Sequence, residues 1–113
     1  MPFDSIKTDK IIIMVKHIIL WQLSDSLTEE EKVKTAHNAK QNLEGLMGKI
    51  EGLTDIRVIT GKLAGSNADM MLDSTFTSEE ALKSYSVHPA HVAVADTYVR
   101  PFIKSRSCIN YEI

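Results

Sequence analysis

The stretch Met14 to Leu23 reads M-V-K-H-I-I-L-W-Q-L and constrains this chain's architecture more than any other. β-Branched and aromatic side chains dominate it. Val15, His17, Ile19, Trp21 and Leu23 share one face by the period of two that a strand imposes. The opposite face is not simply polar, because Met14, Ile18 and Leu20 stand there beside Lys16 and Gln22. A strand that is apolar on both sides belongs between two layers, so something must cover each face of its sheet.

The remaining elements say what covers one face. After the turn cluster Ser24-Asp25-Ser26, Thr28 and Glu31 form a capping box that opens a helix running to about Met47. Its acidic first turn suits the positive end of the helix dipole, and Val33, Ala36, Ala39, Leu43 and Met47 recur at helical spacing. Leu53 to Gly61 reads as a second strand, Lys62 to Ala68 as a hairpin loop and Asp69 to Phe76 as a third strand, with Met70, Leu72, Ser74 and Phe76 on one face. Thr77 with Glu80 supplies a second capping box and opens a short helix carrying Leu82 and Tyr85. His88-Pro89 breaks that helix, since the residue before proline is pushed out of the α region, and Pro89 begins a new one over Ala90 to Val99. Arg106 to Ile113 closes the chain as a fourth strand. This order predicts an α+β fold of split βαβ type: a four-stranded antiparallel sheet with helices on one face. A second copy of the chain, stacked sheet on sheet, is expected to cover the other face as a homodimer.

With 113 residues, a single domain over residues 14–113 is expected, preceded by an N-terminal arm over residues 1–13. A formal net charge of −2 gives no basic footprint for nucleic acid. The apolar runs Ile11 to Val15 and Ile18 to Trp21 are too short to span a bilayer, so neither nucleic acid nor membrane is an expected partner. The single cysteine, Cys108, excludes an internal disulfide framework and reads as a buried small hydrophobe. With no secretory pattern at the start, a reducing, cytoplasmic setting is the simplest expectation.

The informative segment for chemistry is Tyr85-Ser86-Val87-His88-Pro89-Ala90-His91. His88 and His91 have the separation of metal ligands on one helix, but Pro89 spoils the geometry and no cysteine pair or H-E-x-x-H accompanies them, so no metal is expected. No Walker loop or G-x-G-x-x-G is present. With V-K-H at Val15 to His17, G-L-x-x-I at Gly52 to Ile56, F-x-S-x-E-A-L at Phe76 to Leu82 and Y-x-x-H-P-A-H at Tyr85 to His91, the chain resembles the stress-responsive A/B barrel family from about Met14 to Ile113. That resemblance implies a ferredoxin-like protomer whose sheet pairs with a second one as a dimeric α+β barrel.

The family includes a plant polyketide cyclase working by aldol condensation, and matching its motif positions assigns candidate roles. His91 matches the catalytic histidine and Tyr85 its tyrosine partner. His17 matches a pocket histidine on the first strand, and His88 the first histidine of H-P-A-H. Met70 stands where that cyclase has a further pocket histidine, which makes a pocket here more apolar, and Trp21, on the strand face of His17, is a further ligand-binding candidate. The resemblance thus implies a pocket for an apolar or phenolic small molecule, with a possible cyclase-like proton transfer that needs no cofactor. A neutral imidazole can take a proton next to a carbonyl, and a phenol can donate to the resulting enolate. The alternatives are a non-catalytic structural or stress-associated dimer, whose cavity Trp21, Phe76 and Phe102 would fill, and a cofactor-free monooxygenase on the same fold.

Overall fold

The computed structural model describes residues 13–113; the arm expected over residues 1–13 lies almost wholly outside the described residues. The chain forms strand β1 (Val15–Leu23), helix α1 (Glu29–Glu44), strands β2 (Leu53–Ile59) and β3 (Met70–Phe76), helices α2 (Glu79–Val87) and α3 (Pro89–Val94), and strand β4 (Ile103–Glu112). The strands make one antiparallel sheet in the order β2-β3-β1-β4, so β1 is central as its two-sided apolar pattern requires. This is the split βαβ arrangement, with the helices on one face.

Under the helices lie Val15, His17, Ile19, Trp21 and Leu23 of β1, joined by Met70, Leu72, Ser74 and Phe76 of β3 and by Ile56 and Val58 of β2, all buried. The pairing of His17 with Ser74 and Asn110, and of Trp21 with Met70 and Arg106, sets which side chains of the flanking strands share this face. The helices leave β4 largely bare, so Cys108 is exposed rather than buried. Its position at the sheet edge decides this, despite its being in register with the core residue Ile19.

The Thr28–Glu31 capping box forms in full. Three local expectations change. Helix α1 ends at Glu44, and its buried stripe is Thr35, Ala39 and Leu43, while Val33 and Met47 face solvent. The cap of α2 is Ser78, whose Oγ accepts from Ala81 N at 3.0 Å, not Thr77. The run from Ala90 to Val99 is not one regular helix: after Val94 it widens into a π-turn over Ala95–Val99, where Arg100 N–H reaches Ala95 O. Pro101 has no N–H to continue an α ladder there.

Gly52 seats α2 against the sheet. It has φ of +87°, and a Cβ built on it would stand 2.5 Å from the Cβ of Ala81. Only a glycine lets the α1–β2 turn approach the helix that carries Tyr85 so closely.

Candidate functional site

The His88-Pro89 break builds the site. On an unbroken helix, residues six apart, such as Tyr85 and His91, would point about 120° away from each other. Here His88 adopts an extended backbone (φ −66°, ψ 131°), ends α2 and caps α3. The chain folds back on itself, and the Tyr85 and His91 rings come to 4.2 Å between centroids at a tilt of 34°.

His91 Nδ1 lies 3.3 Å from Ser86 O, the carbonyl just beyond Tyr85. A carbonyl only accepts, so Nδ1 carries the hydrogen and Nε2 of the neutral ring is left as a free base. Burial pushes the His91 pKa below its ordinary value. The Ser86 hydrogen bond opposes that shift, and the nearby Arg100 charge adds to it.

On the sheet side, His17 is 7% exposed and its Nδ1 sits 2.6 Å from Asn110 Oδ1. Burial lowers its pKa too; the Asn110 bond opposes this and the Arg106 charge assists it. The Tyr85 ring packs edge-on between Phe76, at 4.9 Å, and His17, at 6.2 Å. It is 1% exposed, and its hydroxyl has no hydrogen-bond partner among the described residues. Burial alone holds the phenol far above its usual pKa, so it stays protonated as a donor.

These groups line a cavity of about 360 Å³ between β1, β4 and the α2–α3 break. Ile19, Trp21, Val99 and Ile103 form apolar walls, and Arg100 and Arg106 add charge. His17, Tyr85, His91 and Trp21 are therefore brought together. His88 and Met70 are not, which corrects their expected placement. His88 spends its Nδ1 accepting from Ala90 N at 3.0 Å and faces a separate depression beside Gly52. Met70 lies on β3, on the far side of β1 from the cavity. Phe76 packs beneath Tyr85 and Phe102 against the core, so neither fills the space.

Arg100, Arg106, Val99 and Ile103 escaped the sequence reading. The one available signal was the alternation of β4, which places Arg106 in phase with Cys108 and Asn110. A larger depression of about 430 Å³ lies between α1 and the β2–β3 hairpin. Its charges are answered, Lys62 by Asp69 at 2.6 Å and Lys32 by Glu29 at 3.7 Å within the lining and Lys40 by Glu44 at 2.8 Å beside it, and among the described residues it holds no unpartnered buried group. Among the described residues no set of three or more His, Cys, Asp or Glu side chains converges as metal ligands would, and no helix is long and apolar enough to cross a membrane.

The fold that carries this cavity has known relatives. The chain is 29% identical over 84 residues to olivetolic acid cyclase of Cannabis sativa, a match covering 74% of this chain and 82% of that protein. A dimeric protein of unknown function from Bacteroides fragilis with a ferredoxin-like fold superposes at a TM-score of 0.83 with 34% identity, covering 88% of this chain and 96% of its own. Hydroxynitrile lyase from Passiflora edulis shares the fold at a TM-score of 0.66 and 16% identity, over 88% of this chain and 95% of that one. The description Stress Responsive A/B Barrel Domain matches residues 15–113, from the first residue of β1 to the end of the chain, and the protein belongs to that family.

Proposed function

We propose that this protein binds an apolar, phenolic or polyketide-like small molecule in the His17–Tyr85–His91 cavity and catalyses a cofactor-free proton transfer there, of the kind an aldol-type ring closure needs. The observation that carries this reading is the Tyr85 hydroxyl: a protonated donor, buried with no partner among the described residues, beside a neutral histidine with a free Nε2. The likeness to a cyclase over most of the chain supports it.

His91 Nε2 takes the proton from a carbon next to a ligand carbonyl. The electron pair moves onto the carbonyl oxygen, and Tyr85 donates a hydrogen bond to that oxygen as its charge develops. The enolate carbon then bonds to a second carbonyl of the same chain, and the imidazolium returns its proton to the new alkoxide. Apolar walls at Ile19, Trp21 and Val99 fold a flexible chain into reach, which supplies proximity.

The working unit is a homodimer paired through the open sheet face. There Leu20, Ile59, Ile109 and Tyr111 are all more than two-fifths exposed around the central Lys16–Asp73 ion pair. A dimeric relative at 34% identity supports this. An exposed thiol at Cys108 fits a reducing, cytoplasmic setting.

A thermal-shift screen of wild type and His91→Ala against alkylphenols, diketide and triketide esters and medium-chain fatty acids tests the reading. A ligand that raises the wild-type midpoint and fails on an equally folded His91→Ala is expected, since binding to the native state stabilises it. No shift with any class would leave a non-catalytic dimer as the better account.

A further inference from the structure

The cavity's charge says more about its occupant than its shape does. Its lining includes two arginines and no carboxylate, although the chain as a whole carries a net charge of −2. Both histidines are held towards their neutral form by burial, so they do not supply that charge. Arg100 is already answered by Asp96 one helical turn away. Arg106 is different: among the described residues it makes no ion pair and no side-chain hydrogen bond. Its place opposite Trp21 on the helix-facing side of β4 puts its guanidinium at the cavity.

From the unanswered guanidinium at one end and the unpartnered Tyr85 hydroxyl at the other, we infer that the cavity takes an anionic ligand: a carboxylate held by Arg106, carried on an apolar or aryl body whose far end bears the carbonyl that meets Tyr85 and His91. Along β1, Trp21 stands four residues from His17, about 13 Å at strand rise. Ile19 lies between the two polar ends and Trp21 flanks the guanidinium, so the middle of the ligand is apolar. A planar guanidinium matches a carboxylate with two parallel hydrogen bonds, a pairing that a neutral amide cannot reproduce. The inference rests on the cavity reading above and adds the charge of the ligand and the residue that selects it.

Matched probes separate the two claims. The 4-acylbenzoates, acetyl to hexanoyl, carry a carboxylate and an enolisable ketone at opposite ends of an aryl ring, and the 4-acylbenzamides are their neutral counterparts. Titration calorimetry on the wild type should give the acid at least tenfold tighter binding than its amide. Arg106→Gln should bring the two within twofold, and Arg106→Lys should keep part of the preference. Lys104→Gln removes the same charge from β4 at a residue paired with Asp25 outside the cavity, and should leave the preference intact. Equal binding of acid and amide to the wild type, a preference that survives Arg106→Gln, or one that Lys104→Gln also erases would overturn the inference while leaving the cavity reading standing. Binding of neither probe series would overturn both.

Discussion

A buried phenol hydroxyl without a partner costs on the order of 1–3 kcal/mol, and among the described residues Tyr85 carries one between Phe76 and His17. Among the described residues the other such oxygen, on Asp73, has Lys16 beside it as an ion-pair partner. Tyr85→Phe removes the orphaned group while keeping the ring that packs. Urea unfolding of this variant should therefore show stability unchanged or raised by about 1 kcal/mol, with loss of ligand stabilisation. A destabilised Tyr85→Phe would mean that the hydroxyl is structural. The two cavity histidines make a second residue-scale prediction. Burial lowers both pKa values in the folded state, so below about 6.5 the unfolded chain binds protons that the folded chain refuses. Stability is then full above that pH and declines as pH falls through the folded-state values. In unfolding series from pH 7.5 to 5.0, His17→Gln should flatten this decline; an unchanged slope would contradict the assignment.

Among the elements, the α2–α3 pair decides the site, and its start is where sequence and structure part. Thr77 and Ser78 are both competent caps, and Glu80 follows Thr77 at capping-box spacing. Thr77 N instead bonds to Gly52 O at 2.9 Å as β3 ends, which leaves Ser78 as the first residue able to turn its hydroxyl onto the helix amides. Ser78→Ala should cost about 1 kcal/mol of stability and Thr77→Ala only a few tenths, read as denaturation midpoints; the reverse order would restore Thr77 as the cap. What local chemistry controls was legible in the residues: the alternation of β1, the Thr28 capping box and the break at His88-Pro89. What long-range packing controls was not. Which face of α1 is buried depends on the tilt of the helix over β2. Arg106 meets Trp21 only through the pairing of the first and last strands, which no short window of sequence records. His88 and Met70 were carried to the site by motif position. One is occupied as a cap and the other stands across β1, so a motif can match where the geometry differs.

For the whole molecule, the open sheet face is the main unsettled surface energy. Leu20 at 43% and Ile109 at 59% exposure stand on that face, where water meets an apolar sheet that no helix among the described residues covers. Sedimentation should give twice the chain mass for the wild type, and Leu20→Glu, which alters no buried contact under the helices, should convert it to a folded monomer. A wild type that sediments as a single chain would rule out the dimer.

If the cavity built by the α2–α3 break holds the proposed chemistry, its two histidines must answer a ligand together. The chain has four histidines, two lining that cavity and two outside it, so imidazole nitrogen NMR reports on this directly. At pH 7 neutral His17 and His91 rings with the hydrogen on Nδ1 are expected. A stabilising ligand should move both of their Nε2 resonances and leave His37 and His88 in place. A response confined to His37, which lines the depression beside α1, or a charged His91 at neutral pH, would contradict it.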